Sequence, residues 1–352
     1  MIFRALPALL SFCLLLAPHA SAETLRTLRG ETIEGRVSGL YGDLLVIGVK
    51  NGSFSLNVDM LDEASLRQVA LFLASPAATT LAWSQSTSPV AKALAKRLQV
   101  LRDGKLTAFD PGARPEPEFY LAYFGAYWCG PCRRFSPRLV EAYHRLKAIA
   151  PDRFEVIFIS DDQDSAGQLK YAREVNMPWP MLKFSATTAV PAFEKQRARG
   201  IPSLVVLTRE GDLIFHSYQG EKYLGADDPL ERFSDLLSSL TSQTDPVPSP
   251  NRHRLAVAQH ILAAGNADRE LKPYRVAIDH KRLRTVSVPQ VEARLKIDAR
   301  GRVVDAEFPS SLDMISRENL GRDAENWLFL PAVTQGQAHE SEIRVPIILS
   351  KS

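Results

Sequence analysis

Residues 119–132 read FYLAYFGAYWCGPC, and this stretch decides the fold of the central part of the chain. Residues 119–124 are an unbroken apolar run, which is typical of a strand buried on both faces of a sheet. Residues 135–150 then carry apolar side chains at helical spacing. The closely spaced cysteines Cys129 and Cys132 are therefore predicted to lie between the end of a strand and the start of a helix.

The predicted position of the two cysteines favours redox chemistry. A cysteine in the first turn of a helix is close to unpaired backbone N–H groups and to the positive end of the helix dipole, and both favour its thiolate. A thiolate can attack a disulfide and form a mixed disulfide, which a second cysteine resolves. Because Cys132 lies one helical turn beyond Cys129, we expect Cys129 to be the exposed nucleophile and Cys132 the resolving cysteine. Arg133 and Arg134 add nearby positive charge that favours the thiolate further.

The alternative for this pair is one half of a zinc site. Zinc normally needs four protein ligands, or three and a water molecule. The sequence has no second cysteine pair and no suitably spaced histidine pair. His253 and His260 are far along the chain, and we expect them to face solvent. We therefore predict neither a metal site nor a cofactor.

The stretches that follow the cysteines alternate between strands and helices. The predicted strands are 154–159, 204–207 and 213–216, and the predicted helices are 168–176 and 230–240. Glu210 and Gly211 supply the turn of a hairpin between the last two strands. This alternation predicts an α/β domain with a parallel strand pair and an antiparallel edge.

The central part of the chain resembles a known superfamily. Residues 125–133, GAYWCGPCR, resemble the active-site motif of the thioredoxin-like superfamily. Residues 154–160, FEVIFIS, with residues 177–180, MPWP, resemble its tryparedoxin/nucleoredoxin branch. The resemblance covers residues 92–240. It implies a thioredoxin fold, in which a mixed sheet is flanked by helices, and a thiol–disulfide oxidoreductase activity.

The resemblance also implies roles for individual residues. Cys129 and Cys132 would be the catalytic residues and would form the redox-active disulfide. Ile201-Pro202 would be the cis-proline loop, which faces the cysteines and whose backbone pairs with a bound peptide. A cis X-Pro bond costs only about 0.5–1 kcal/mol, and the alternative is a trans turn proline after Gly200. The substrate-binding residues implied in this way are Trp128, Gly130, Pro131, Ile201 and Pro202.

Two positions depart from the patterns of these families. Thioredoxins carry a buried Asp six residues before the first cysteine for proton transfer, whereas this chain has Tyr123, as tryparedoxins do. Proton transfer would then use water or another group. Tryparedoxins place a Trp after the Ile-Ser of the second strand, in contact with their low-molecular-weight thiol substrate. Asp161 stands there in this chain, which puts that substrate in doubt.

The first 22 residues have the pattern of a secretory signal. Arg4 is followed by the apolar run 5–17 and by Ala20-Ser21-Ala22, which predicts cleavage after Ala22 and a periplasmic or otherwise exported protein. The alternative is a membrane anchor, but the run is well short of the roughly 20 apolar residues that span a bilayer. Cleavage removes Cys13 and leaves only Cys129 and Cys132, which argues against a structural disulfide framework.

Length and charge limit the remaining possibilities. A chain of 352 residues is expected to form two or three compact units. A net charge of +3 gives no support for nucleic-acid binding, which usually needs a dense basic patch. No stretch beyond the signal is long and apolar enough to cross a membrane.

Residues 23–74 alternate in the manner of strands. The predicted strands are 32–37, 44–49 and 54–56, with a hairpin turn at Asn51-Gly52 and a short helix carrying Leu66, Val69, Ala70 and Leu73. The GETIEGR start at 30–36 and the MLD segment at 60–62 resemble the small SH3-like β barrels called Sla-type homology domains. The alternative is a generic small β-domain.

Two linkers, 75–91 and 241–252, are predicted from Ala, Ser, Thr and Pro content. The C-terminal stretch, 253–352, contains a predicted ββαβ order: strands 291–297 and 303–308, a helix 316–327 and a strand 343–349. Residues 297–303, 327–332 and 344–347 resemble the C-terminal domain of the TonB family. The resemblance implies an α+β domain. Because its polar residues form no nucleophile–base set, we predict that this domain binds rather than catalyses.

These observations leave two functional hypotheses. In the first, the protein reduces or isomerises disulfides of exported proteins and receives electrons from an external donor protein, because it has no third cysteine after cleavage. In the second, it is a redox-sensing scaffold whose flanking domains dock to envelope partners. Flanking domains without catalytic motifs fit both hypotheses.

Overall fold

The structure is a computed structural model that describes residues 23–74, 81–241, 249–280 and 289–349. Its first region, 23–74, is an antiparallel sheet followed by helix α1 (Glu63–Ala74). The strands, in chain order and in order across the sheet, are β1 (Glu23–Arg26), β2 (Thr32–Tyr41), β3 (Leu44–Val49) and β4 (Gly52–Asn57). The hairpin at Asn51-Gly52 is confirmed, since Val49 pairs with Gly52. β1 and β4 are the two edges of this sheet, so the predicted SH3-like barrel is not shown.

The central region is a seven-stranded mixed sheet. Its strands are β5 (Leu98–Arg102), β6 (Lys105–Ala108), β7 (Phe119–Gly125), β8 (Phe154–Ser160), β9 (Met181–Leu182), β10 (Ser203–Thr208) and β11 (Leu213–His216). They lie in the order β11-β10-β7-β8-β9-β5-β6. β7 and β8 are parallel, and β10 is antiparallel to β7 and to β11, as the alternation predicts. The hairpin β5–β6 was not anticipated from the sequence.

Helices cover both faces of this sheet. They are α2 (Pro89–Leu94), α3 (Gly130–Ile149), α4 (Ser165–Val175), α5 (Pro191–Glu194) and α6 (Asp227–Thr241), and the short strands β12 (Tyr218–Gln219) and β13 (Lys222–Tyr223) precede α6. Successive side chains of β7 point to opposite faces, because the period of a strand is two. Leu121 and Tyr123 pack with residues of α3 and α6, whereas Ala122 and Phe124 pack on the other face with Trp83 and Phe193.

The stretch predicted as the first linker, 75–91, is partly packed. Residues 75–80 lie outside the described residues. Trp83 is buried, with its ring against those of Phe109 and Tyr120, and Val90 is buried in the same cluster. The many small and polar residues of this stretch led to the prediction of a linker, although Trp83 and Val90 are core residues. In the second predicted linker, 242–248 lie outside the described residues, and Ser249 Oγ donates to Asp43. The domain boundaries otherwise remain predictions.

The C-terminal region contains the predicted ββαβ elements and several others. The elements are α7 (His253–Ala264), β14 (Lys272–Arg275), β15 (Gln290–Ile297), β16 (Val303–Glu307), α8 (Met314–Ala324), β17 (Leu328–Leu330), β18 (Ala332–Thr334), β19 (Gln337–His339) and β20 (Ser341–Ile348). The main sheet has the order β16-β15-β20. Gly301, in the β15–β16 turn, has φ +76°, and a Cβ there would lie 1.9 Å from the Phe329 carbonyl oxygen. Only glycine fits this close approach.

Helix α7 joins the N-terminal and C-terminal regions. On one side, Leu255 and Ala258 belong to the hydrophobic core of the N-terminal sheet, together with Leu25 and Leu66. On the same side, Arg254 donates to the backbone carbonyls of residues 59 and 61. A helix assigned by sequence to the C-terminal domain therefore completes the core of the N-terminal one.

The opposite side of α7 carries His253 and His260, and the expectation that these two face solvent is wrong. Both are buried, and their Nε2 atoms lie 2.8 Å and 3.1 Å from the carbonyl oxygens of Phe329 and Pro331. Because a carbonyl only accepts, each Nε2 donates. Burial lowers the pKa of both imidazoles, so both are neutral at neutral pH. The two histidines thus supply donors to strand carbonyls of the C-terminal region.

The N-terminal sheet also contacts the central region. Arg36 lies 3.1 Å from the Asp212 carboxylate, which accepts from Ser38 as well, and Ser53 Oγ donates to the Leu213 carbonyl. Asp212 lies between β10 and β11, and Leu213 is the first residue of β11. Thr208 of β10 pairs with the first residue of β7. The contact is therefore at the end of the central sheet opposite the cysteines.

We predict that Leu255→Ala destabilises the N-terminal sheet by about 2–5 kcal/mol, because Leu255 is fully buried in its core. Hydrogen exchange of the β3 amides should then accelerate, while exchange in β8 should not. Leu262→Ala on the same helix is the matched control, since that side chain is 36% exposed. Equal acceleration by both variants would contradict the role of α7 in this core.

Candidate functional site

The two cysteines lie at the junction of β7 and α3. Cys129 is the N-cap of α3, and Pro131 occupies its first turn, where the missing N–H of proline costs no helical hydrogen bond. Cys129 and Cys132 form a disulfide with their Cα atoms 5.2 Å apart. The backbone N–H of Cys132 donates to Cys129 Sγ at 3.1 Å. The helix start therefore directs a hydrogen-bond donor at the first sulfur, as its predicted position implies.

Neither sulfur is widely exposed in the disulfide. Cys129 is 4% exposed and Cys132 is fully buried, so Cys129 is the more accessible residue but is not the exposed residue that the sequence predicted. The residues beside Cys129 are exposed to solvent instead: Trp128 is 62% exposed, and Gly130 and Pro131 are also exposed. In the disulfide form, Cys129 is therefore almost completely buried. A partner would reach it through the surface formed by these three residues.

The loop before β10 faces the disulfide. The Ile201–Pro202 peptide bond is cis, and the Ile201 carbonyl oxygen lies 3.6 Å from Cys129 Sγ. A disulfide sulfur carries no hydrogen, so this is a contact rather than a hydrogen bond. On the other side, Tyr223 donates to the Pro202 carbonyl at 2.9 Å. The structure thus brings Ile201 and Pro202 to Cys129, where the resemblance placed them.

Asp161 connects the loops on both sides of the disulfide. Its backbone carbonyl accepts from Trp128 Nε1 at 3.3 Å, and its carboxylate forms an ion pair with Arg197. Arg197 also pairs with Glu194 at 2.7 Å and lies over the ring of Phe124. Burial raises the pKa of Asp161, and the guanidinium opposes that shift. Sequence reasoning named Asp161 but missed Arg197, because no local pattern joins the two residues.

A cluster of three buried hydroxyls lies behind the cysteines. Tyr123 is 2.7 Å from Ser136 and 3.1 Å from Tyr171, and Ser136 is 2.6 Å from Tyr171. Three hydroxyls have three hydrogens, which can serve all three bonds. Burial raises the pKa of Tyr123 far above its usual range, so the cluster is uncharged. The buried carboxylate of thioredoxins is replaced here by a neutral group. The sequence analysis named Tyr123 of this cluster but not Ser136, one turn after Cys132, or Tyr171.

The two arginines after Cys132 differ in their surroundings. Arg133 pairs with Glu174 at 2.6 Å and lies over the Tyr127 ring. Arg134 has no ion pair with a described residue, and its Nη1 lies 3.7 Å from the position that a Cβ on Gly130 would take. Of the two arginines, Arg133 is therefore paired with a carboxylate, whereas Arg134 has none among the residues that the structure describes.

In 23–74, 81–241, 249–280 and 289–349, no cluster of three or more His, Cys, Asp or Glu side chains could hold a metal ion. Over the same ranges, every helix is too short or too polar to span a bilayer.

Comparison with known proteins assigns the central region. A family model described as thioredoxin-like matches residues 118–213. A probable nucleoredoxin 3 from Oryza sativa subsp. japonica is 43% identical over 92 residues, or 26% of this chain and 19% of that protein. A probable nucleoredoxin 1 from Arabidopsis thaliana is 33% identical over 156 residues, or 39% of this chain and 26% of that protein. The solved structure of tryparedoxin I from Leishmania major aligns over 45% of this chain and 97% of its own, at 27% identity and a TM-score of 0.31.

The chain therefore contains a thioredoxin-like oxidoreductase domain with Cys129 and Cys132 as its CxxC active-site cysteines, and this domain is similar to nucleoredoxins. It spans about a fifth to a quarter of the length of the two nucleoredoxins. The regions before and after residues 118–213 are not assigned by the family model.

After reduction, we expect iodoacetamide to modify Cys129 faster than Cys132. Cys129 receives the Cys132 N–H at the start of α3 and is the more accessible of the two. The alkylation rate of the Cys132→Ser variant at neutral pH should exceed that of Cys129→Ser by roughly tenfold or more. Equal rates in these two matched single-thiol variants would contradict the assignment of the nucleophile.

Proposed function

We propose that this protein is an exported thiol–disulfide oxidoreductase that reduces or isomerises disulfides in envelope proteins. The observation that carries the proposal is the Cys129–Cys132 disulfide at the start of α3, with the Ile201 carbonyl 3.6 Å from the first sulfur. A backbone carbonyl at that distance can pair with an extended substrate segment beside the reacting sulfur.

Three features favour a protein substrate over a small thiol. Trp128 is exposed beside the disulfide and offers an aromatic surface to a docking segment. The N-terminal sheet contacts the far end of the central sheet, at Asp212 and Leu213, and leaves the cysteine end open. Asp161 occupies the position where tryparedoxins carry the Trp that contacts their low-molecular-weight thiol, and its carboxylate is committed to Arg197.

In the proposed reaction, two electrons pass from the reduced Cys129/Cys132 dithiol to a disulfide of the substrate. The Cys129 thiolate attacks one sulfur of the substrate disulfide, forms a mixed disulfide and releases the other substrate sulfur as a thiolate, which takes up a proton. The Cys132 thiolate then attacks Cys129 Sγ and releases the reduced substrate. The resulting Cys129–Cys132 disulfide is reduced by an external dithiol protein. Isomerisation differs in that the released substrate thiolate attacks the mixed disulfide before Cys132 does.

We infer that the pair acts as a reductant rather than a strong oxidant. Gly130 and Pro131 between the cysteines match the reducing thioredoxins, and there is no His between the cysteines to stabilise the thiolate. This places the potential closer to the value of about −270 mV for thioredoxin than to about −120 mV for DsbA. The neutral hydroxyl cluster and the free charge of Arg134 are the features that would raise it.

Export forms part of this proposal and is supported by the pattern of residues 1–22. Cleavage after Ala22 would leave Glu23 as the first residue of the mature protein. Intact mass measurement of the native protein tests this, and an unprocessed Met1 in a membrane fraction would favour an anchor instead.

The second candidate is a redox-sensing scaffold. It is favoured by the large flanking regions, which α7 packs together and which carry no recognised catalytic motif. A scaffold would bind its partners differently when the disulfide is oxidised and when it is reduced. It would not catalyse repeated reduction of substrate disulfides.

Reduction of insulin with a coupled reductant distinguishes the two candidates. We expect catalytic turnover by the full chain and none by Cys129→Ser. In native extracts, Cys132→Ser should accumulate covalent complexes through Cys129, because its mixed disulfides cannot be resolved. Cys129→Ser is the matched control and should trap none. Absence of turnover, or equal trapping by both variants, would overturn the proposed activity or the roles of the two cysteines.

A further inference from the structure

A wide cleft lies between the N-terminal and C-terminal regions. It has a volume of about 980 Å³ and is bordered by α1, α7, the β15–β16 turn and the β18–β19 hairpin. We call it the arginine cleft, after Arg67, Arg300 and Arg302, which border it. We propose that the arginine cleft binds an acidic, amphipathic peptide segment of a partner protein. This site is separate from the disulfide and does not depend on its chemistry.

Three of the four arginines that line the cleft form no ion pair with a described residue. Among described residues, no carboxylate forms an ion pair with Arg67, Arg300 or Arg302, and all three are exposed. A fourth arginine, Arg254, is committed to Glu63 at 3.0 Å and to two backbone carbonyls. Three guanidinium groups are thus available to carboxylates of a ligand, with which guanidinium forms paired hydrogen bonds.

The acidic groups at the cleft are already used within the protein. The Asp62 carboxylate accepts from the Ser65 N–H at 2.9 Å, which lowers the pKa of Asp62, and Glu63 pairs with Arg254. In the turn, Asp298 accepts the backbone N–H groups of Arg300 and Arg302 at 2.9 Å and 2.8 Å. These carboxylates hold the local backbone and leave the guanidinium groups of the turn free. They also make the cleft unfavourable for a uniformly anionic surface.

The lining of the cleft also contains apolar side chains. Val257, Ala258, Ile261 and Leu262 of α7 line it, and so does Leu28, which is exposed. Apolar and cationic groups in one cleft fit a segment with hydrophobic side chains on one face and carboxylates on the other. The aliphatic character of these five side chains favours such a peptide over a nucleic acid, whose bases stack best on aromatic rings.

Fluorescence anisotropy with the full chain at physiological salt tests this inference. The probe is a short fluorescein-labelled peptide that alternates Glu and Leu. The comparison probes alternate Lys with Leu, and Glu with Ser. We expect binding of the first probe only, because the second reverses the charge and the third has no hydrophobic side chains to contact the apolar residues of α7 and Leu28. Equal binding of the Glu–Ser probe, or no binding of the Glu–Leu probe, would overturn the proposal.

Charge-reversal variants locate the site. The double variant Arg67→Glu/Arg300→Glu should weaken binding of the Glu–Leu probe by roughly tenfold or more. Arg317→Glu combined with Arg145→Glu is the matched control, because these exposed arginines change the net charge equally and do not border the cleft. An equal loss of binding in both double variants would show that the effect comes from the net charge of the protein and not from the cleft.

Two further outcomes would replace the proposed occupant. Binding to anionic phospholipid vesicles that is lost in Arg67→Glu/Arg300→Glu would assign the cleft to a membrane surface. Self-association in sedimentation that is lost in the same variant would assign it to a second copy of the chain. Insulin reduction should be unchanged in the variant, so its loss would indicate misfolding. A wild-type protein without insulin turnover that still binds the Glu–Leu probe would separate this inference from the proposed function.

Discussion

The complete burial of strand β7 is the constraint on which the rest of the structure depends. All seven of its residues are buried, with alternate side chains in two different hydrophobic clusters. A strand covered on both faces has no freedom to shift its register, because a slip of one residue would exchange the two faces. Its end is therefore fixed, and so is the start of α3 that follows it. The cysteines occupy this junction, and the parallel neighbour β8 ends beside them with Ser160 and Asp161.

Much of this central architecture could be predicted from local sequence. Unbroken apolar runs identify β7, β8 and β10, and the helix after the cysteines follows from periodicity. In the N-terminal sheet, Asn51-Gly52 marks a hairpin. Residues that act through space were not accessible in this way. Trp83 lies in a stretch whose composition is typical of a linker, yet it packs against rings from two other segments. Arg197 reaches Asp161 across 36 positions of sequence, and no pattern within one element indicates such a pair.

The polar groups behind the disulfide show how a buried site can avoid charge. Tyr123, Ser136 and Tyr171 satisfy one another, so no hydroxyl is left without a partner where solvation is lost. An isolated carboxylate in this position would carry a desolvation cost and a raised pKa. Three shared hydroxyls avoid both. At the same time they leave no charged group to accept a proton, so water or a substrate group must do so when a cysteine is deprotonated.

Helix α7 is far in sequence from the N-terminal sheet whose core it completes. The core of the N-terminal sheet is completed by Leu255 and Ala258, which come after the whole thioredoxin-like domain. Closing so long an intervening stretch costs chain entropy, although this cost grows only slowly with length. The strands of the central sheet and the helices on its faces all precede α7 in the chain, and Tyr41 and Val46 of the N-terminal sheet pack into their core. The first sheet to be made is thus among the last to mature, and it stands with part of its apolar face uncovered until α7 arrives. Until α7 has been synthesised, the uncovered apolar face of this sheet is a surface that chaperones would encounter.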